Sequence, residues 1–376
     1  MAAVNKVLVI GGGFSGMSAA IEMRKAGIAV DLVEIDPHWR PEGAGITVNG
    51  ASLRALETIG VYDAVKSRGW VSDGVELRAP TGAPIGEIPT PKPAGSNVAG
   101  GGAILRAELS RILAETTRAS GVDVRLGCTF EAIDDGGDEI AVAFTDGVRR
   151  TYDLVVGAEG LRSKLRENLF PEVAPPRYIG QVVWRAVLPR PAEIVRPRMW
   201  LGGPVKPGVN PVSATHMYMF VTEGRPERSQ PDPKTWADLI AEMLKAYPDP
   251  MLQSLIPHLY DKGASIDYRP LANLLVPAPW SRGRVVLIGD SVHATTPHLA
   301  SGAGIGIESA IVLAEELRLA ASLPEALDRF HARRWERCRM VIQNSERICR
   351  LEMEHGDKAE QAEIMRTSMR TLAEPI

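Results

Sequence analysis

The sequence has few of the features that mark secreted or metal-binding proteins. Among its 376 residues are only three cysteines, Cys128, Cys338 and Cys349, which show neither CxxC spacing nor a disulfide framework. We interpret them as structural thiols. The seven histidines do not cluster at metal-ligand spacing, so we predict no metal site.

Long apolar runs and a strong net charge are absent as well. No apolar run reaches the roughly 18 residues that indicate a membrane span, and the opening MAAVNK leads directly into a predicted strand rather than a signal peptide. A formal net charge of -3 gives no electrostatic reason to expect nucleic acid. We therefore expect a cytoplasmic protein without membrane or nucleic-acid partners, long enough for two domains.

Residues 6–36 have the pattern strand, tight turn, helix, strand. Gly11 permits the sharp turn, Gly13 lets a pyrophosphate approach the backbone, and Gly16 lets the helix pack closely on the strands. Glu34 ends the second strand, where an acidic side chain can accept hydrogen bonds from ribose hydroxyls. The pattern predicts a dinucleotide site rather than an ordinary glycine-rich turn, and it leaves NAD and FAD both open.

Three residues in the following loops each admit two interpretations. Gly43 and Gly45 act either as turn formers or as positions where backbone passes close to a flat ring. Arg106, at the start of a predicted helix, is either a solvated neighbour of the helix cap or a ligand for a phosphate or ribityl oxygen.

The rest of the chain divides by composition. Residues 171–276 are proline-rich, with strand-like segments at 178–188, 198–201 and 211–222, and predict a second domain on a mainly antiparallel sheet. A short apolar strand then ends in Asp290, ahead of a loop and another helix. A long helix is predicted from Pro324 to about His355, followed by a polar tail.

Three separated motifs in this order resemble the FAD-dependent monooxygenases of the aromatic hydroxylase type. They are GGGFSG with Glu34, GAEGLRS at residues 157–163, and GDSVHATTP continuing to GAG at residues 289–304. The likeness covers nearly the whole chain. It is strongest with the short single-component members, such as pyridine-carboxylate oxygenases, urate hydroxylase and the flavin enzymes that inactivate tetracyclines.

The resemblance implies which residues hold FAD. The first motif holds the ADP half, two arginines contact the cofactor, an aspartate receives the ribityl or pyrophosphate region, and the last segment lies beside the isoalloxazine ring. The matching positions are Gly11, Gly13, Ser15, Gly16, Glu34, Arg40, Arg106, Glu159, Asp290, Pro297, Gly302, Ala303 and Gly304.

The chain departs from the family pattern at two places. Glu159 stands where the middle motif usually has Asp, which leaves its role in cofactor contacts uncertain. Ser301, Ile305 and Ile307 stand where Gln and Asn often flank the last glycines, so contacts to the pyrimidine edge of the flavin must come mainly from backbone.

The implied fold is α/β: a Rossmann-like FAD-binding domain, a second domain built on a mainly antiparallel sheet, and a C-terminal helical segment. The predicted boundaries are 1–70, 101–175 and 277–322 for the FAD-binding domain, 71–100 and 176–276 for the substrate domain, and 323–376 for the helical segment.

The resemblance also implies an activity. NADH or NADPH reduces FAD, O2 adds to give a flavin hydroperoxide, and one oxygen atom is transferred to an aromatic or heteroaromatic small molecule. We expect a monomer or homodimer. Two alternatives remain open: a flavin-dependent reductase or dehydrogenase on the same fold, and a non-catalytic FAD-binding sensor.

Substrate contacts are expected from the second domain, with Pro297 nearby. Arg185 is a candidate for a substrate carboxylate and Lys206 for a phenolate-like anion, while strand alternation places His216 and Tyr218 on one face. The alternatives are a surface ion pair for Arg185, a core histidine for His216 and ordinary packing for Tyr218.

Two histidines near the flavin segment complete the candidates. We assign His293 a structural role and leave His298 open.

Overall fold

The computed structural model describes residues 3–40 and 43–376, and within them the predicted strand, turn, helix and strand are present. The strands are β1 (Lys6–Ile10), β2 (Ala29–Glu34), β3 (Gly45–Asn49), β4 (Trp70–Ser72), β5 (Val75–Arg78), β6 (Pro84–Ile88), β7 (Gly101–Leu105), β8 (Asp123–Leu126), β9 (Phe130–Asp135), β10 (Ile140–Phe144), β11 (Arg149–Tyr152), β12 (Leu154–Gly157), β13 (Arg177–Pro189), β14 (Arg198–Trp200), β15 (Lys206–Pro211), β16 (His216–Gly224), β17 (Ser265–Asn273), β18 (Ser281–Arg282) and β19 (Val285–Leu287). The helices are α1 (Phe14–Lys25), α2 (Gly50–Thr58), α3 (Tyr62–Arg68), α4 (Arg106–Ala119), α5 (Lys164–Leu169), α6 (Trp236–Leu244), α7 (Pro250–Leu255), α8 (Gly302–Leu319), α9 (Leu323–Met353) and α10 (Lys358–Ala373).

A six-stranded sheet in the order β18-β19-β12-β1-β2-β8 forms the first layer. Its strands are parallel except for the β18–β19 pair, and β1 lies between β12 and β2 with Val9 opposite Val156 and Leu32. The apolar run of β1 is almost fully buried, as expected for a strand covered on both faces. Helices α1 and α8 pack against each other beside this sheet.

The second large sheet has seven strands in the order β17-β13-β16-β15-β14-β5-β6. All its pairs are antiparallel except β14–β5, and the long β13 lies between β16 and β17. One face packs on a separate apolar core that contains Trp184 and Trp200. The fold is therefore α/β with a Rossmann-like sheet, a mainly antiparallel second sheet and C-terminal helices, as the sequence predicts.

Two smaller antiparallel sheets complete the strand pairing. One is a meander of β9, β10 and β11, and the other joins β3, β7 and β4. The second of these lies close to the seven-stranded sheet, because β7 contacts β15. This contact brings residues from both parts of the chain together.

One sequence-based expectation about secondary structure was wrong. Residues 211–222 do not form one strand, because a turn in which Ser213 Oγ accepts from Thr215 N and His216 N separates β15 from β16. The predicted C-terminal helical segment contains a second helix after His355: α10 begins after Asp357, whose side chain caps it by accepting from Ala359 N at 2.7 Å.

No helix among the residues that the structure describes is both long and apolar enough to cross a membrane.

Candidate active site

The glycine turn after β1 leaves the first turn of α1 facing open space. Gly11 has φ 105° and lies so close to Ala158 that a side chain there would overlap its carbonyl. A β-carbon at Gly16 would overlap the carbonyl oxygen of Gly11, so the helix packs directly on the turn. By contrast, a β-carbon at Gly13, the N-cap of α1, would meet no atom of the described residues within 4 Å. Unpaired N–H groups at such a helix start form a site for a pyrophosphate.

Glu34 turns back from the end of β2 onto this glycine turn. Its Oε2 accepts from Gly12 N at 2.7 Å, and its Oε1 accepts from Asp36 N at 2.8 Å. Trp39 adds a contact that the sequence did not indicate: its indole N–H donates to Gly12 O at 2.7 Å, and the Arg118 guanidinium lies 5.1 Å from the centre of its ring. The acidic strand end therefore lies beside the turn, as predicted.

Arg40 lies away from this turn. Its side chain is exposed and pairs with Asp36, at 3.5 Å between Nε and Oδ2. The contacts that we observe therefore place Arg40 in a surface turn, and its role in cofactor binding stays a prediction. The next two positions, 41 and 42, lie outside the described residues.

Hydrogen bonds connect the segment of the middle motif, which begins at residue 157, with the last motif at residues 289–304. Gly160 N donates to Ser291 Oγ at 3.1 Å, and the buried Arg166 donates to Ser291 O at 3.2 Å. Glu159 accepts from Ser163 Oγ at 2.7 Å and from Leu165 N at 3.0 Å, so it caps α5. Burial raises the pKa of Glu159 despite these hydrogen bonds. A contact between Glu159 and the cofactor stays a prediction.

Ser15 and Asp290 lie where the turn after β19 meets the start of α1. The Ser15 hydroxyl lies so close to Gly289 and Gly306 that a side chain at either glycine would overlap it. Asp290 is accessible, yet the protein around it desolvates the carboxyl and raises its pKa, while His293 and Arg106 act in the opposite direction. A side chain that is both accessible and surrounded by protein lines a concave site.

The segment before α8 forms another part of this site. Pro297 is exposed and begins a single turn of 3-10 helix, and Ala300 adopts a left-handed conformation with φ 47°. Gly302 and Ala303 remain partly accessible in the first turn of α8, whereas Gly304 packs against Ser52. The start of α8 therefore presents accessible backbone to the same region.

Asn49 is a residue that the sequence analysis missed. It caps α2 by accepting from Ser52 N at 2.9 Å, and its amide donates to Ser301 Oγ at 2.8 Å, which fixes the loop before α8. An Asn directly before the first residue of a helix is a capping signal that can be read from a sequence. Its long-range contact with Ser301 has no such signal.

Arg106 lies between the two large sheets. Its guanidinium lies 5.0 Å from the centre of the Phe14 ring, at the start of α1. Burial lowers the pKa of Arg106, and the nearby charge of Arg185 lowers it further. Asp290 and Asp267 act in the opposite direction. Arg106 is thus an electrostatic neighbour both of Asp290 and of Arg185 from the second sheet.

Arg185, Lys206 and Tyr218 share the face of the seven-stranded sheet that is opposite its apolar core. Arg185 pairs with Phe220 in the register, Lys206 with Thr222, and Tyr218 lies two residues before Phe220. We call this face the inward face. Tyr218 is buried and its hydroxyl is hydrogen-bonded to Thr47 Oγ1 on β3.

Arg185 and Lys206 each have a carboxylate partner. Arg185 Nη1 lies 3.6 Å from Asp267 Oδ2, and Lys206 forms an ion pair with Glu352 at the end of α9. Glu352 also lies 3.4 Å from the buried Nε2 of His298. No sequence signal connects Glu352 with Lys206, because the pair joins positions 146 residues apart.

The structure does not bring the predicted His216 to the centre of this face. His216 is exposed at the start of β16, where its Nδ1 is hydrogen-bonded to Thr215 Oγ1 at 2.9 Å. Its role toward substrate stays a prediction without a supporting contact. His293 is buried, with its Nε2 3.1 Å from Ser309 Oγ, as a structural residue would be.

These residues fit FAD. The open space at Gly13 admits a pyrophosphate that a side chain would exclude, Glu34 lies at the turn where an adenosine ribose would bind, and Asp290 lines a concave surface where a ribityl chain would lie. The remaining candidates for holding the cofactor are Ser15, Arg106, Gly302 and Ala303. Bound there, FAD supplies the redox chemistry that the side chains of the protein lack.

Comparison with known proteins supports an FAD-binding site. The family described as FAD binding domain matches residues 5–345. Aurachin C monooxygenase/isomerase from Stigmatella aurantiaca is 33% identical over 347 residues, which cover 91% of this chain and 88% of that protein. The 2-heptyl-3-hydroxy-4(1H)-quinolone synthase of Pseudomonas aeruginosa strain PAO1 is 33% identical over 348 residues, covering 92% and 89%.

A solved structure supports the fold. Klebsiella pneumoniae HpxO complexed with FAD and uric acid aligns with a TM-score of 0.82 at 24% identity, covering 98% of this chain and 92% of that one. The chain thus belongs to the FAD binding domain family and is an FAD-dependent monooxygenase of the aromatic hydroxylase type, acting on an aromatic or heteroaromatic small molecule with NAD(P)H and O2.

Proposed function

We propose that the substrate ring binds between the inward face, at Tyr218 and Arg185, and the segment that begins at Pro297. One observation carries this placement: the ring of Tyr218 lies directly against Gly45, and its hydroxyl is hydrogen-bonded to Thr47. The second sheet therefore meets β3 at this point. The electrostatic proximity of Arg185 to Arg106 supports the same location.

Tyr218 acts as a neutral hydrogen-bond donor in this proposal. Burial raises the pKa of its phenol, so the hydroxyl keeps its proton at neutral pH. Thr47 fixes the direction of that hydroxyl. A substrate oxygen that accepts from Tyr218 would be held in one orientation, which brings the same ring carbon to the oxidant in each turnover.

Arg185 and Lys206 provide positive charge close to the ring. Electron-rich aromatic rings react faster with an electrophilic oxygen, and a nearby cation stabilises negative charge that develops on a substrate oxygen or ring nitrogen. Asp267 orients Arg185, and Glu352 orients Lys206. His216 has no contact that supports a role in this proposal.

FAD held by these residues would supply two-electron redox chemistry, with NAD(P)H as reductant and O2 as the source of one oxygen atom for the substrate and one for water. The accessible backbone of Gly302 and Ala303, at the positive end of α8, would stabilise negative charge on the reduced ring. Pro297 would form the adjacent wall. The buried surroundings of the inward face would exclude water from the reacting atoms.

The experiment is a screen of the purified holoenzyme against aromatic acids, pyridines, purines and polyketides, followed by turnover under isotopically labelled O2. We expect substrate-stimulated NAD(P)H oxidation with one labelled oxygen atom in the product per NAD(P)H consumed. Turnover without labelled product would instead indicate a flavin-dependent reductase.

Arg185→Met tests the placement of the substrate. We expect KM to rise by about tenfold, since a hydrogen bond to a charged group is lost, while the FAD content stays unchanged. Arg190→Met serves as control, because this arginine donates to Ile194 O and Ala214 O and lies 4.5 Å from the centre of the Trp70 ring. Unchanged kinetics in Arg185→Met would remove this residue from the substrate site.

The sequence-based expectations of a monomer or homodimer and of a cytoplasmic location are also proposals. Analytical ultracentrifugation of the holoenzyme and fractionation of expressing cells test them.

A further inference from the structure

The cations that we place on the inward face are already paired with fixed carboxylates. Asp267 on β17 lies opposite Arg185 in the register, 3.6 Å from it, and also lies 3.1 Å from Arg269. Lys206 is paired with Glu352. A substrate carboxylate entering here would therefore compete with protein carboxylates for cations that are in use.

Glu352 is held in its ionised form. Burial by itself would raise the pKa of this carboxyl, but the neighbouring charges of Lys206 and His298 lower it well below its usual range. Gln361 on α10 adds a hydrogen bond from Nε2 to Glu352 Oε1 at 3.0 Å. The negative charge next to Lys206 is thus fixed at neutral pH, and it comes from the C-terminal helices rather than from a ligand.

Asn210 is a buried side chain on the inward face whose hydrogen bonding is incomplete. It lies directly opposite Tyr218 in the register of β15 and β16 and is only 4% exposed. Among the described residues its Nδ2 has no acceptor. An unsatisfied buried amide is costly unless a ligand completes it, and the group it requires is an oxygen or nitrogen acceptor.

We propose that the substrate is an uncharged aromatic or heteroaromatic molecule whose oxo or hydroxyl oxygen accepts from Asn210 and Tyr218. Glu352 is a specificity-determining residue that disfavours carboxylated analogues by neutralising Lys206. A carboxylate placed beside Arg185 or Lys206 would compete with Asp267 or Glu352 for the cation and would face their like charge. Asp267 takes the place that the sequence analysis gave to a substrate carboxylate at Arg185.

This inference rests on the proposed placement of the substrate, but its test does not need oxygen transfer. The FAD-loaded enzyme is titrated with matched ligand pairs that differ only in one carboxylate: phenol and 4-hydroxybenzoate, 3-hydroxypyridine and its 5-carboxylate, and 4-quinolone and its 2-carboxylate. Binding is measured from the change in flavin absorbance. We expect the uncharged member of each pair to bind about tenfold more tightly or better, and tighter binding of the carboxylated member would overturn the inference.

Two variants test the residues. Glu352→Gln leaves Lys206 without its partner, so the carboxylated ligands should gain about tenfold in affinity while the uncharged ligands change little. Asn210→Leu, similar in size but without a donor, should weaken the uncharged ligands by about tenfold. An unchanged ratio within the pairs in Glu352→Gln, or unchanged affinity in Asn210→Leu, would count against the proposal.

The control is Glu354→Gln, which removes an exposed carboxylate two positions along the chain and should alter neither ratio. If Glu352→Gln does not fold, the double variant Lys206→Gln/Glu352→Gln removes the pair without leaving a lone charge and should retain the preference for uncharged ligands. Loss of that preference in the double variant would overturn the proposal. If the enzyme prefers uncharged ligands but transfers no oxygen to them, this inference stands and the proposed function is wrong.

Discussion

The ring of Tyr218 lies so close to Gly45 that a β-carbon at Gly45 would overlap Cδ1 of the ring. Gly45 is the first residue of β3, and the Tyr218 hydroxyl reaches Thr47 two positions further along the same strand. One glycine therefore permits the second sheet to approach β3 at the point where we place the substrate. This explains why a glycine stands here at a backbone angle that any residue could adopt.

Gly45→Ala should displace the Tyr218 ring and break its hydrogen bond with Thr47, because the added methyl group needs the space that the ring fills. We expect substrate-stimulated NAD(P)H oxidation to fall by about tenfold or more, with FAD still bound, as measured by coupled turnover and the flavin spectrum. Gly86→Ala is the control, since a β-carbon there meets no atom within 4 Å. Full activity in Gly45→Ala would contradict this arrangement of the two strands.

Gly13 offers a separate test of the cofactor site. Within the part of the chain that the structure describes, a β-carbon there meets nothing within 4 Å, and the residue has φ -75°, so Gly13→Ala should fold normally. The methyl group would nevertheless occupy space that a pyrophosphate needs at the start of α1. We expect an unchanged melting temperature without cofactor and FAD affinity weakened by about tenfold or more, measured by titration of apoprotein.

Gly16→Ala provides the contrast for Gly13→Ala. Its β-carbon would overlap the carbonyl oxygen of Gly11, so the apoprotein itself should be destabilised. If Gly13→Ala bound FAD as tightly as the wild type, the placement of the pyrophosphate would be wrong.

The glycine turn and Glu34 could be predicted from the sequence because each part is local. The turn needs glycine at Gly11 for its backbone angle, and the acidic residue follows at a fixed distance along the same strand–helix–strand unit. Likewise, strand alternation predicted that His216 and Tyr218 lie on one face of their strand, and Met217 and Met219 of β16 belong to the apolar core on the other face. Short-range periodicity determines such features, and the folded chain reproduces them.

Pairing between distant parts of the chain could not be predicted in the same way. Glu352 looks like one charge among many on an arginine-rich helix, yet folding places it against Lys206 and His298. Trp39 gave no signal for its bond to Gly12. These contacts depend on how α9 and the loop after β2 pack in three dimensions, which a single sequence does not encode locally.

Arg166 connects the segments of the middle and last motifs through a hydrogen bond, so replacing it should destabilise the fold. Its buried guanidinium donates to Ser291 O at 3.2 Å, and burial lowers its pKa because the charged form loses hydration. Arg166→Met should leave the Ser291 carbonyl without this donor and reduce the free energy of unfolding by about 1–3 kcal/mol. Urea denaturation measures the change.

The control for Arg166→Met is Arg162→Met, in the same segment but exposed, which should change stability by less than about 0.5 kcal/mol. Equal effects of the two substitutions would show that the link to Ser291 contributes nothing specific.

Stability should fall as the pH drops below about 6.5, because two histidines are buried in their neutral form. Burial lowers the pKa of both His293 and His331 to about 4, and His331 Nε2 accepts from Trp280 N at 3.0 Å, which a protonated ring cannot do. Since the unfolded chain binds protons at these histidines near pH 6.5 and the folded chain only near pH 4, each should reduce the free energy of unfolding by roughly 3 kcal/mol across that window.

His331→Gln keeps an acceptor for Trp280 without a titrating group, so urea denaturation from pH 7 to pH 4.5 should show a shallower decline in the free energy of unfolding than in the wild type. The exposed His258→Gln should decline as the wild type does, and identical slopes for all three proteins would exclude His331 as a source of the acid sensitivity.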